Sequence, residues 1–250
     1  MVILKPGHFM VNGVNSWTSN GLKVLIQNRP ELLTPKRKRE FKSPLGVSGD
    51  LVFDENAYEP TPLKLELLIE GKTEQDIINN RDKLYMMFNS PGHVAFIPYF
   101  DPNKQYNVIC TDPPTFTSKW WMNGNQTAEM ELTVQPYKYF LDVVDTVLTT
   151  AGNISNPYSI PSQPLIKIEG TGDVVLKVNG ISHSIKAIEG HIYINSELFG
   201  SYRKSGSVIT NDNSKIYFRE YPILKPGNNL IEWTGSVTKV TISPRWRSLT

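Results

Sequence analysis

The segment Asn156–Gly180, NPYSIPSQPLIKIEGTGDVVLKVNG, divides the 250-residue chain. Its prolines at 157, 161 and 164 fix φ and withhold a backbone donor, so this stretch is extended and cannot be a central strand. Polar turn residues gather just before it, from Thr149 to Asn156. We therefore predict a domain at 1–137, a linker region at 138–155 and a second domain at 156–250.

The second domain has the pattern of an all-β unit. We expect seven short strands, separated by glycine and asparagine turns: LIKIEG, DVVLKVNG, HSIKAIEG, HIYINSEL, KIYFREY, NLIEWTG and VTKVTIS. This spacing is typical of a β-sandwich. Gly170-Thr171-Gly172 has half of a dinucleotide-binding fingerprint, but a strand follows it rather than a helix. We predict a tight β-turn there.

The first domain also alternates apolar and polar residues with a period of two. The runs GLKVLIQ, PLKLELLIEG and AEMELTVQP each place alternate apolar residues on one face, such as Leu22, Val24 and Ile26 in the first. Such alternation buries one face of an antiparallel strand and leaves the other in water. The first domain is therefore predicted to be largely β.

One segment, TEQDIINNRDKLYMMFNSPG, departs from that period. Ile77, Leu84 and Phe88 recur at helical spacing. Thr73 and Asp76 have the spacing of a capping box, and Asn89-Ser90-Pro91-Gly92 is a stop signal. We predict one amphipathic helix over residues 74–89, packed on a sheet.

Composition excludes several classes of protein. The formal net charge is only +2, which gives no support for a general nucleic-acid or membrane binder. Cys110 is the only cysteine, so no intrachain disulfide can form. The N-terminus MVILKPGHFMVNG has no apolar run of signal-peptide length, and no run of 18 apolar residues occurs. We expect a soluble protein that stays reduced and does not insert into membranes.

Catalytic and metal-binding patterns are missing from the sequence. None of the four histidines sits in a nucleophile motif, and Cys110 lies in the apolar-leaning strand YNVICT, as a buried or half-buried thiol would. No HExxH, CxxC or calcium-loop spacing occurs, and Asp101-Pro102-Asn103 is typical of a turn. We predict no enzyme, no cofactor and no metal. A cell-wall hydrolase is the remaining enzyme alternative, but no paired carboxylates support it.

A basic run stands out at Lys36, Arg37, Lys38 and Arg39, with Lys42 beyond it. Prolines flank the run, and adjacent like charges repel one another, so a solvated surface loop is one interpretation. The functional interpretation is a contact with an acidic partner, or a ring of charge in a symmetric assembly that steers assembly or lines a channel for nucleic acid.

Aromatic side chains of the second domain provide candidates for sugar contacts. Tyr193 and Trp233, with His183 and Arg203 nearby in sequence, could stack on or hydrogen-bond to a carbohydrate. A sandwich uses about half of its strand aromatics for its own core, which is the competing interpretation. A lectin-like adhesion module acting in host recognition is therefore the alternative function.

The chain resembles the distal tail proteins (Dit) of long-tailed, non-contractile bacteriophages. Four stretches, in order, are similar to that family: FMVNGVNSWTSNGLKVL, KSPLGVSGDLVFDENAYEPTPLKLELLIEG, the helix segment, and the second-domain run that includes HIYINSEL and YPILKPGNNLIEWTG. Two positions depart from the family pattern. An arginine-bearing loop is replaced by residues 43–49, and Asn195 stands where an aspartate is common.

The resemblance implies a mainly β fold (β-rich α+β). The N-terminal domain would be a sandwich or split barrel with one helix, and the C-terminal domain a galectin-like sandwich. It also implies a structural hub in the virion tail, assembled in the bacterial host cytoplasm. A homohexameric ring would join the tail tube protein to the tail-tip proteins, hold receptor-binding proteins in some members, and let genomic DNA pass through its channel.

Overall fold

The computed structural model describes residues 3–18, 21–46, 48–117 and 124–250. The chain divides into two compact units, Met1–Leu141 with Leu249–Thr250, and Asp142–Ser248. Both are built almost wholly from antiparallel strands, and the predicted mainly β class with one α-helix is confirmed. In the described ranges, no helix has the length and apolar character to cross a membrane.

The first unit contains nine strands and one helix among its described residues. They are β1 Phe9–Val11, β2 Val14–Asn15, β3 Val24–Ile26, β4 Arg37–Lys42, β5 Leu51–Tyr58, β6 Thr61–Glu70, α1 Glu74–Phe88, β7 Val94–Pro98, β8 Lys104–Phe116 and β9 Asn125–Phe140.

The main sheet of this unit has the strand order β2-β1-β7-β8-β9-β6-β3. Its longest regular ladder joins β6 to β9, from the Thr61–Val134 pair to the Glu70–Asn125 pair. Because successive side chains on a strand point to opposite faces, every second residue of both strands lies in one core. That core also includes Phe9 and Phe96, whose ring centroids are 5.7 Å apart.

Helix α1 packs on this core through Ile77, Leu84 and Phe88, as its spacing predicts. It begins with a capping box: the Thr73 hydroxyl accepts the Asp76 N–H at 3.2 Å, and the Asp76 carboxylate accepts the Thr73 N–H at 3.0 Å. These bonds satisfy backbone donors that have no intrahelical acceptor. The helix ends at Phe88, one residue before the predicted end.

The second unit contains nine strands and a short 3₁₀ turn. They are β10 Thr146–Leu148, β11 Gly152–Asn156, β12 Leu165–Val178, β13 Ile181–Asn195, β14 Gly200–Ser205, β15 Val208–Asn211, the 3₁₀ turn Asn213–Lys215, β16 Ile216–Tyr217, β17 Gly227–Ser243 and β18 Arg247–Ser248. The strand order is β10-β17-β12-β13-β14-β15, with β11 paired to β17 and β16 to β13.

Three long strands replace six of the seven short strands expected from the sequence. LIKIEG and DVVLKVNG are both parts of β12; likewise, HSIKAIEG and HIYINSEL form β13, and NLIEWTG and VTKVTIS form β17. The prediction of a tight β-turn at Gly170-Thr171-Gly172 is therefore wrong. The pairing of β12 with both neighbours is irregular there and then resumes, which is the behaviour of a bulge that bends a strand.

The bend divides the sheet into two halves that share the long strands. One half adds β11 and β16, and the other adds β10, β14 and β15. Each half buries alternate residues. Leu176 and Val178 are buried in the half with β11, and Ile166 and Ile168 in the half with β10. Two half-sheets with inward-facing apolar rows are the arrangement of a β-sandwich.

The region predicted as a linker, 138–155, contains regular structure. Strand β9 continues to Phe140, and β10 and most of β11 fall within the same range. Both short strands pair with β17, which lies some 80 residues further along the chain. Alternation is hard to recognise in strands of three to five residues, so the sequence pattern did not reveal them.

Glycine at position 170 is required by the bend. A Cβ added there would lie against the Ser236 carbonyl oxygen, closer than a van der Waals contact allows. We expect Gly170→Ala to lower the free energy of unfolding by about 1–3 kcal/mol through overpacking. Urea unfolding followed by circular dichroism measures the change.

Gly200→Ala is the matched control in the same unit. Its Cβ would meet only ordinary contacts, the nearest being Asn213 Oδ1 at 3.6 Å. Equal stability of the two variants would contradict the assigned role of Gly170.

Candidate functional site

Strands β4 and β5 form a hairpin that, in the part of the chain that the structure describes, pairs with neither of the larger sheets. We call residues 37–58 the arm. Its register places Arg39 opposite Asp54 and Phe41 opposite Val52. The prediction of a loop at the basic run is therefore wrong. Charge repulsion does not prevent strand pairing here, because neighbouring basic side chains point to opposite faces and β5 supplies a carboxylate across the ladder.

The arm has as many acidic as basic residues, but the basic ones gather on β4, where they are only partly paired. Arg37 Nε lies 2.5 Å from Asp54 Oδ2, and Lys42 Nζ lies 3.3 Å from Glu40. The Asn56 backbone N–H bonds to Asp54, and together with Arg37 it holds the pKa of Asp54 below its usual value. Within the described ranges, the remaining basic residues of the run form no ion pair: Lys36, Lys38 and Arg39.

Both faces of the arm also expose apolar side chains. Phe41 is 61% exposed, and three residues of β5 are about half exposed: Leu51, Val52 and Phe53. A two-stranded hairpin alone in water is marginally stable, and a contiguous exposed apolar patch marks an interaction surface. The arm therefore has the properties of a segment that another surface covers. Val47 lies outside the described residues.

The outer face of the main sheet is acidic. The ladders place Lys64 beside Glu131, Glu66 beside Glu129, and Asp112 beside Glu131. We call these five residues the acidic face; they line an open groove of about 350 Å³. The groove lies where the β8–β9 ladder is irregular, around Asp112.

Little on the acidic face offsets its charge. Lys64 Nζ is 3.7 Å from Glu131, and the Asn28 side-chain amide donates to Glu66 at 2.5 Å. Asp112 and Glu129 form no ion pair within the described part of the chain. Like charges in register across a ladder are destabilising, so this arrangement costs the unit stability.

Sequence reasoning missed the acidic face. The sequence shows the alternating acidic residues of β6 and β9, but alternation alone indicates only the solvent-facing side of two strands. The register that places them beside each other and beside Asp112 is set by pairing between distant segments.

Two of the four sugar-contact candidates face the interior. His183 is buried, and its ring is T-shaped against Phe218 at a centroid distance of 5.0 Å. The register aligns His183, Leu176 and Trp233 in one row, and Leu176 is fully buried. Side chains in one row share a face, so Trp233 lies on the core side with them.

The other two candidates lie in the opposite half of the sheet. The Tyr193 ring stacks on Tyr202 at 5.0 Å, and Lys167 Nζ lies over it at 5.8 Å. Arg203 forms ion pairs with Glu189 and, at 2.8 Å, with Asp212. Each group is thus already engaged, and the structure does not gather the four candidates into one exposed site.

The residues considered for chemistry have structural contacts. The half-buried Cys110 donates its thiol to the Asp112 carbonyl oxygen at 3.2 Å, and burial raises its pKa. Asp101 begins a turn and accepts the Tyr106 hydroxyl at 2.9 Å. In the described ranges, no three His, Cys, Asp or Glu side chains cluster as metal ligands would.

Comparison with known protein families finds a similarity for most of the first unit. Residues 18–134 match the family model of the phage tail protein RIFT-related domain. The arm and the acidic face both lie within this range. This part of the chain is therefore similar to that domain family. A search of curated protein sequences finds no match.

Solved structures extend the likeness to both units. The Dit protein (gp 19.1) of phage SPP1, described as a hub of the adsorption apparatus of phages that infect Gram-positive bacteria, matches with a TM-score of 0.70 and 16% identity. The match covers 96% of this chain and 99% of that one. A chain of the phage P2 baseplate in its activated conformation matches with a TM-score of 0.55 and 11% identity, covering 94% and 97%. The resemblance to distal tail proteins is confirmed.

Buried His183 makes the stability of the second unit depend on pH. Burial lowers its pKa, since the charged form is desolvated, while nearby Glu220 opposes the shift. The unfolded chain therefore binds a proton more readily than the folded one. The free energy of unfolding should fall by up to about 1.4 kcal/mol per pH unit as the pH drops below about 6.5.

Urea titrations of the wild-type chain and His183→Leu between about pH 7.5 and pH 5 test this dependence. The pH slope should be smaller for His183→Leu than for the wild-type chain. Identical slopes for the wild-type chain and His183→Leu would refute the assignment.

Proposed function

We propose that this protein is a structural hub of a bacteriophage tail tip or baseplate, with no enzymatic role. The observation that supports the proposal most strongly is the fold likeness to SPP1 Dit, which extends over nearly the full length of both chains. The arm adds independent support. A hairpin with exposed apolar and basic side chains on both faces suits a part that becomes buried in an assembly.

In the proposed assembly, six copies form a ring in the virion tail, which is put together in the host cytoplasm. The ring joins the tail tube protein to tail-tip proteins, and genomic DNA passes through its channel without specific binding. Ring subunits contact each other head to tail, so each copy presents two different complementary patches. Holding a receptor-binding protein is a further role open to the second unit.

Sugar binding by the second unit is less well supported. A sugar stacks on an open aromatic face, but the Tyr193 ring is already flanked by Tyr202 and Lys167. A glycan array with the full chain distinguishes the two functions, because the hub proposal predicts no specific sugar.

The ring predicts the mass of the purified protein. Light scattering behind a sizing column should give about six times the 28.3 kDa of one chain, because closed cyclic assemblies have a fixed copy number. Negative-stain images should show rings. A different closed number, such as a dimer with no larger species, would contradict the hexamer.

The basic strand of the arm predicts an assembly phenotype. Replacing Lys36, Arg37, Lys38 and Arg39 by glutamine removes a charge that a ring repeats six times, so fewer infectious particles should form. Plaque counts of a phage with this allele measure the loss. Replacing Lys72 and Lys83, which are exposed on or beside α1, by glutamine is the control. If the glutamine variant gave wild-type titres, the basic charge of this segment would have no role in assembly.

A further inference from the structure

We infer that the basic strand of the arm docks on the acidic face of a second copy of this chain. The inference rests on the hub proposal, and it names the two patches that a head-to-tail contact requires. The arm supplies one patch and the outer surface of β6, β8 and β9 supplies the other.

Charge complementarity selects the acidic face as the site for the arm. Strand β4 has four basic residues against Glu40 alone, and the acidic face has four carboxylates against Lys64 alone. Within the described ranges, Lys38 and Arg39 of β4 form no ion pair, although Arg39 stands in register with Asp54, and Asp112 and Glu129 of the acidic face form none. Bringing these groups together removes the like-charge repulsion on both surfaces.

Shape and accessibility agree with this pairing. The acidic face is an open groove beside an irregular stretch of β8, and the arm is a narrow hairpin whose β4 edge has no partner strand among the described residues. The exposed Phe41 lies on this same edge strand and would lose water contact on docking. An arm that docks on the next copy makes the contact heterologous, and repetition around an axis closes a ring.

Charge reversal provides the test. The arm-reversed protein has Lys38→Glu with Arg39→Gln, because a second carboxylate at position 39 would stand in register with Asp54 and weaken the hairpin. The face-reversed protein has Asp112→Lys with Glu129→Lys. In the face-reversed protein each new lysine lies in register with an existing carboxylate, Glu131 or Glu66, so folding is preserved. Each protein alone should self-associate about 10-fold or more weakly than the wild type, because like charges then meet at the contact.

An equimolar mixture of the two reversed proteins should regain association. Both heterotypic contacts then join opposite charges, and copies of the two proteins alternate around a ring of even number. Association should also weaken as ionic strength rises. Lys72→Glu with Lys83→Glu, on or beside α1, is the matched control and should associate like the wild type. A cooperative urea transition and the wild-type circular dichroism spectrum for each variant confirm that all of them are folded.

Two outcomes would overturn the inference: undiminished association of the arm-reversed protein, or no recovery in the mixture. If the arm-reversed protein still assembles but phage bearing it eject DNA poorly, the arm faces the channel and the inference is wrong. A separate experiment tests the hub proposal: the wild-type chain is supplied to a phage that lacks this gene, and the formation of complete tails is measured. That readout does not depend on which surfaces meet.

Discussion

The β6–β9 ladder is the constraint on which the first unit depends. Its register places Leu65 and Leu67 beside Met130 and Ala128 under α1, and the same register places the charged residues between them on the outside. A slip by one residue would exchange the two faces. The core and the acidic face are therefore both set by the β6–β9 register, and a change of that register would alter both. With a single cysteine in the chain, no disulfide assists this pairing.

Features fixed by local sequence were predicted well. The helix has its cap, its apolar stripe and its stop signal within 20 residues, and all three are present in the structure. The conformation at Gly170 and Gly172, by contrast, depends on distant strands. Gly170-Thr171-Gly172 has the composition of a turn, but whether the chain reverses or bends depends on β13 and β17, which continue pairing on both sides. Partners so far along the sequence leave no local trace, so the bend could not be predicted.

The basic run illustrates the same limit at the candidate site. Its charge correctly pointed to a surface segment, but the hairpin depends on β5, which begins nine residues after β4 ends. The sugar-contact candidates were chosen by residue type, and residue type does not say which face of a strand a side chain occupies. Strand register answers that question: it places His183 in a buried row and Tyr193 against another ring. Predicting a site on a sheet therefore requires the register as well as the residues.

The arm and the acidic face are each unfavourable in an isolated chain. The arm exposes apolar residues such as Phe41 to water, and the acidic face holds Glu66 against Glu129. An assembly that buries both surfaces would remove the apolar exposure and the like-charge repulsion. The surfaces that destabilise the monomer would thus stabilise the assembly. The same charges oppose wrong pairings, because β4 against β4 or face against face places like charges together. Exposed apolar strands usually associate without selectivity. Here the charge pattern favours contact of β4 with the acidic face over contact of either surface with its own copy.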